Sequence, residues 1–252
     1  MLGVVGVTQF SGMVAALALA LLLNEPFPST RDIGLAVIGG TCGVIGITCL
    51  YRGLSVGRMG VVAPVTGVLS AGVPVTFGFL TEGVPSPVTV IGILTALVAV
   101  VLVTRTPEAA AGKPSGFRWA LLGGFAIGTA SIFIGQFSRE SAFGLLTVMR
   151  LVQAALVVAV IVLARQPWRM PRDVVPKLVL VGLLDMGGNA AFILAAAAGA
   201  LAIAAVLSSL YPVVTVLLAI TLLREHVTKS HLVGIALTAL AIVLIAGGAA
   251  AA

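Results

Sequence analysis

Residues Ala202–Ser230 read AIAAVLSSLYPVVTVLLAITLLREHVTKS. Twenty-one uncharged residues, Ala202 to Leu222, run up to the polar cluster Arg224-Glu225-His226, and a second apolar run follows from Leu232. A near copy lies earlier in the chain: Gly60–Thr81, then Glu82, then an apolar run from Val88. Placing Glu82 on Glu225 sets an offset of 143 residues, at which Val84 falls on Val227 and Thr95-Ala96-Leu97 on Thr238-Ala239-Leu240. The hydrophobic layout agrees along the whole half. The unit that repeats is therefore an apolar span with a polar stop, and the chain carries it twice.

Composition says what solvent such a unit needs. Hydrophobic residues make up 60% and charged residues 9% of the 252 residues, with a mean hydropathy of +1.23. A water-soluble domain uses roughly 25% charged residues, so most of this surface must face lipid. A helix needs about 20 apolar residues to cross the hydrocarbon, which leaves room for nine or ten crossings with short loops. The net charge of +6 comes from basic residues scattered singly between apolar runs. That arrangement suits lipid headgroups rather than nucleic acid. Cys42 and Cys49 lie two turns apart on one predicted helix, too far for a disulfide, and read as small packing residues.

Nine spans follow: a, Leu2–Leu23; b, Ile33–Leu50; c, Gly60–Leu80; d, Val88–Val103; e, Trp119–Phe137; f, Phe143–Leu163; g, Leu178–Ala198; h, Ala202–Leu222; i, Leu232–Gly247. Each is long and continuously apolar rather than alternating, which predicts helices and not barrel strands. Proline-rich connectors separate them at 24–28, 85–87 and 166–171, and the longest polar stretch, Arg105–Arg118, joins the halves. The fold class expected is all-α integral membrane. Residues 1–104 form a first repeat of four spans, 105–117 a connector, and 118–252 a second repeat of five. Spans a to d match f to i. Span e has no partner: either the four-plus-five arrangement is genuine or, as the simpler ancestry of two five-helix halves favours, an equivalent first helix belongs ahead of Met1.

Charge orients the spans. Eleven of the 14 basic residues fall in the b–c, d–e, f–g and h–i connectors, against Arg31 and Arg139 on the other face and Arg150 inside span f. The excess of Lys and Arg marks the cytoplasmic side, which puts the N-terminus inside and the C-terminus outside. Matched loops lie on opposite faces: a–b has one basic residue and f–g has four, whereas b–c has two and g–h none. Opposed matched loops are the mark of an inverted repeat, a plan common among secondary transporters.

The run Ser208-Ser209-Leu210-Tyr211-Pro212-Val213-Val214, followed by Leu222-Leu223-Arg224-Glu225-His226-Val227-Thr228 and Gly234-Ile235-Ala236-Leu237, resembles the EamA domain of the drug/metabolite transporter superfamily. Pro212, Glu225 and Thr228 match its mid-helix proline, helix-closing Glu and following Thr or Ser. In the first half Glu82 and Ser86 match, while Pro64 and Pro74 flank the proline position, held here by Leu69. The resemblance implies a ten-helix carrier of two inverted five-helix halves that moves small metabolites, amino acids or drugs without ATP. The chain departs from that pattern in lacking the first helix and in a charge count that puts its C-terminus outside.

Of 22 charged residues only Arg150 and Asp185 sit well inside a span. An ionisable group there costs about 2.5–3.5 kcal/mol and should face a cavity or a partner. Asp185 is a candidate for proton coupling, or for a structural bond to a neighbouring helix, with Asn189 one turn away. Arg150 is a candidate for an anionic group of the substrate, or snorkels to the surface. On these boundaries Asp185 lies about 10 Å in from the f–g face and Arg150 about 10 Å in from the opposite face. Their depths then differ by about 10 Å, and no direct pair is expected.

Span c holds Pro64, Gly67, Gly72, Pro74 and Gly78 and is the best candidate for a deformed helix. Its freed carbonyls near Thr66 and Ser70 are candidates to face a solute. In span h, Ser208, Ser209 and Tyr211 surround Pro212 and offer hydroxyls, which also bond back to their own helices. Gln153 is a further intramembrane polar candidate. Glu82 and Glu225 read as helix-terminus groups that fix loops rather than as transport acids. His226 and His231 show no metal spacing, and Gly123-Gly124-Phe125-Ala126-Ile127-Gly128 lies inside span e, which excludes a nucleotide fingerprint. No cofactor, metal or nucleic acid is expected; the partners are membrane lipids and a small-molecule substrate, with a homodimer left open. The function expected is a secondary-active carrier in a bacterial cytoplasmic membrane. The alternatives are a non-transporting membrane subunit and, less so, a membrane enzyme on lipid-linked substrates.

Overall fold

The computed structural model describes residues 2–57, 59–104, 116–163, 165, 171–198, 201–208, 210 and 229–250. Among these the secondary structure is helical: α1 Leu2–Leu22, α2 Thr30–Val56, α3 Met59–Thr81, α4 Pro87–Thr104, α5 Phe117–Gly135, α6 Ala142–Leu163, α7 Val175–Ala197, α8 Leu201–Ser208 and α9 Lys229–Ala250, with short 3₁₀ turns at Arg139–Ser141 and Arg172–Val174. The apolar runs among the described residues are helical because hydrocarbon leaves a backbone N–H no partner except within its own helix or a closed barrel. The five helices α1, α2, α5, α6 with its leading turn, and α7 are long and apolar enough to cross a membrane, and shorter apolar stretches lie in α3, α4 and α9. The surface agrees with a lipid solvent, since Leu184 is 67% and Leu163 84% exposed.

Span b is the boundary furthest from expectation. Its helix continues from Leu50 through Tyr51 and Arg52 to Val56, because polar residues end a hydrophobic run without ending a helix. Span h is described only over α8 and Leu210; the remainder, with the quoted Arg224-Glu225-His226 cluster, lies outside the described residues.

The chain forms two compact units, one of residues 1–44 and 130–199, the other of 45–129 and 200–252. In the first, α1 packs against both α6 and α7, and α6 against α7. Glycines allow the close approaches. A Cβ on Gly182 of α7 would collide with Ser11 Oγ and the Thr8 carbonyl of α1, and one on Gly40 of α2 would lie 2.9 Å from the Met149 carbonyl of α6. In the second unit, α4 packs along α9, and α3 against α8 and α4. Its core gathers Val75, Ile93, Ala96, Ala202, Ala241 and Ile245, and Gly92 of α4 faces the Ile245 backbone of α9.

Two carboxylates tie helix ends together. α1 closes with Asn24 in the left-handed region at φ 49°, with Asn24 N–H donating to Leu21 O and Glu25 N–H to Ala20 O, the paired bonds of a Schellman motif. The turn aims the Glu25 carboxylate at the start of α6, where it accepts from Phe143 N–H at 3.2 Å and Gly144 N–H at 2.8 Å. In the second unit Glu82, after α3, accepts from Leu201 N–H at 3.1 Å at the start of α8. Each supplies the acceptor that an N-terminal turn lacks and puts negative charge at the positive end of a helix.

Candidate functional site

Arg150 is 2% exposed in the middle of α6, and its charge is met from two other helices of the same unit. Its Nη1 donates to the side-chain carbonyl of Gln9 on α1. Its Nη2 lies 2.6 Å from Oδ2 of Asp185 on α7. Gln9 is buried at 3%, whereas the Asp185 side chain is 55% exposed. Nε of Arg150 has no hydrogen-bond partner among the described residues, and Nη2, although in ion-pair range of Asp185, makes no well-aligned hydrogen bond. The three helices meet here because Gly12 and Gly182 carry no side chains: a Cβ on Gly12 would lie 3.1 Å from the Gly182 carbonyl and 3.6 Å from Arg150 Nε.

The Arg150–Asp185 contact corrects the sequence-based expectation that the two lie at different depths. The helix ends differ from the span ends, α7 beginning at Val175 rather than Leu178. Measured from the loop between α6 and α7, Arg150 is about 20 Å deep and Asp185 about 15 Å, at 1.5 Å per residue. The flexible arginine stem spans the remaining gap. Gln9 was missed as a partner, because one neutral amide in an apolar span gives no sign of which helix it faces.

The other sequence candidates fall elsewhere. Asn189 donates from Nδ2 to the Asp185 backbone carbonyl at 3.0 Å, within its own helix. Gln153, one turn beyond Arg150, is buried at 4%, with Oε1 unpartnered and Nε2 against Gly43 of α2. In the second unit, Thr66 is buried and its hydroxyl donates to Ala120 O of α5 at 3.3 Å. Ser70 bonds back to Gly67 O, and Ser208 is exposed at the end of α8. α3 is helical without interruption through Pro64 and Pro74, and Pro74, buried, leaves the Ser70 carbonyl without its usual helical donor. Ser209, Tyr211 and Pro212 lie outside the described residues. The structure thus brings Arg150, Asp185 and Gln9 together within one unit, while Thr66, Ser70 and Ser208 belong to the other.

A helical chain with an ion pair sunk in its spans belongs to the membrane proteins, and comparison narrows the class. The profile of the EamA-like transporter family matches residues 114–247, more than half of the chain. The protein belongs to that family, a family of transporters, and through it to the drug/metabolite transporter superfamily. Among solved structures, one titled "Crystal structure of protein" shares 19% identity with a TM-score of 0.68, covering 99% of this chain and 87% of its own. That likeness concerns the fold. No curated protein matches the chain.

Proposed function

We propose that this protein is a secondary carrier that moves a small organic solute across a bacterial cytoplasmic membrane by alternating access, with Arg150, Asp185 and Gln9 at its centre. The observation that carries the reading is the exposure of Asp185. An ionised carboxylate in the middle of a span is costly against hydrocarbon, yet its side chain is 55% exposed. Beside it, Cβ atoms built on Gly187 and Gly188 would meet nothing within 4 Å. An ionised side chain so exposed is least costly facing water or a solute, and a polar approach to a buried arginine is what a carrier needs and a scaffold does not.

The nine spans are the crossings of this carrier, N-terminus inside, arranged as an inverted repeat over 1–104 and 118–252. Support comes from the packing partners. If a to d match f to i, α1, α3 and α4 match α6, α8 and α9. A two-fold relation sets helices near its axis against their counterparts, and α1 packs on α6, α3 on α8 and α4 on α9. Solute counterflow into proteoliposomes tests the function. Accumulation of labelled solute by the wild type and its loss in Arg150→Gln are expected; flux no greater than in protein-free liposomes, across a broad metabolite pool, refutes it.

A further inference from the structure

Arginine offers five N–H donors in a planar fork, and the edge formed by Nε and Nη2 takes a carboxylate side-on through two parallel bonds. In this chain Gln9 holds the opposite corner, Nη1. The Nε–Nη2 edge is the one left without hydrogen bonds, and Asp185 reaches it only through Oδ2 against Nη2. Gly12 of α1 lies against the Nε side, where an added Cβ would stand 3.6 Å from Nε. The edge can donate to two carboxylate oxygens and faces one. Of the pair, the acid is exposed and the base is buried, so whatever reaches Arg150 does so by moving Asp185 aside.

We propose that the Nε–Nη2 edge of Arg150 is the seat for the carboxylate of the transported solute, that Asp185 is the tethered carboxylate occupying it between solutes, and that each exchange loads one proton onto Asp185. The word "transported" rests on the carrier reading above; the binding does not.

Charge balance carries the proton. Arg150 and Asp185 together are neutral. A solute carboxylate on Arg150 leaves Asp185 as a second anion beside the first, and a proton from water on one Asp185 oxygen removes that repulsion. No covalent bond of the solute changes. The groups able to compete for that role are few. α1 carries no ionisable residue and α6 only Arg150. α7 carries Lys177, about 12 Å away along the helix, and the turns packed against α7 carry Arg139 and Glu140, and Arg172 and Asp173. A doubly charged phosphate would leave an uncompensated charge on one guanidinium, so the seat suits a monocarboxylate.

The test uses purified full-length protein and three monocarboxylates of increasing size, acetate, benzoate and 3-phenylpropionate, each against its amide. Unfolding temperature gives the affinity, and a pH electrode in weak buffer counts protons. At least one carboxylate should stabilise the wild type more than its amide does. Its affinity should fall about tenfold per unit rise in pH with one proton taken up. Asp185→Asn, which vacates the seat, should bind about tenfold tighter or more, independently of pH and without proton uptake. Arg150→Gln should lose the carboxylate preference, and Arg150→Gln/Asp185→Asn, with both charges removed, serves if the single variant does not fold. Amides that stabilise as well as acids, no carboxylate effect in the wild type, or a preference unchanged without Arg150 would each overturn the seat. Carboxylate binding without proton uptake would overturn the exchange with Asp185. If binding behaves as expected while vesicles show no flux, the carrier reading fails and the seat stands; flux of neutral solutes alone does the reverse.

Discussion

Gly182→Ala should loosen the helix junction that holds Arg150. The new Cβ would strike the Thr8 carbonyl and Ser11 Oγ of α1. The hydroxyl can rotate away from its bond to Thr8 O, but the backbone oxygen cannot, so α1 must shift from α7. Overpacking of this kind costs about 1–3 kcal/mol. Replacing glycine by alanine inside a helix returns about 1 kcal/mol, which leaves a net loss of up to about 2 kcal/mol. The shift also carries Gln9 away from Arg150. Gly187→Ala, on the same helix with nothing within 4 Å of the added Cβ, keeps only the helix gain of about 0.5–1 kcal/mol. Unfolding of both variants in detergent, monitored by circular dichroism, makes the comparison. Equal stabilities for the two, or a Gly182→Ala variant at or above the wild type, would refute the close α1–α7 contact.

Glu25→Gln should destabilise by about 1 kcal/mol, because a neutral amide replaces a charge-assisted acceptor at a helix N-terminus; faster hydrogen exchange at Phe143 and Gly144 checks the location. Gly92→Ala should lower stability by up to about 2 kcal/mol net of the helix gain, since its Cβ would sit 3.0 Å from the Ile245 backbone nitrogen across the α4–α9 contact and overpacking forces backbone shifts; thermal unfolding reads it. Thr66→Val should cost at most about 1 kcal/mol, since it deletes one long neutral hydrogen bond, Thr66 Oγ1 to Ala120 O, and keeps the shape. A larger loss by the same measurement would give Thr66 a role beyond packing.

The spans were legible because apolar run length and helix length answer to the same hydrocarbon thickness, as α1 and α6 illustrate. Loop-facing ends were less so: Arg52 stops a hydrophobic run, but its long stem lets helix α2 go on to Val56. Arg150 and Asp185 stood out as the only charges deep in spans, yet their pairing did not, because depth along two helices turns on where each begins. Glu82 read correctly as a terminus-fixing residue, while its partner Leu201 did not show. Glu25 was silent for the same reason, since its bonds to Phe143 and Gly144 cross most of the unit's chain and leave no local spacing to read. Gln9 became informative only once packing put it against Arg150.

The most direct test of the central claim is counterflow in proteoliposomes loaded with unlabelled amino acids and monocarboxylates. Wild-type protein should accumulate the matching labelled solute, and Arg150→Gln protein of equal fold and amount should not. Uptake by the variant equal to that of the wild type would contradict a carrier centred on Arg150.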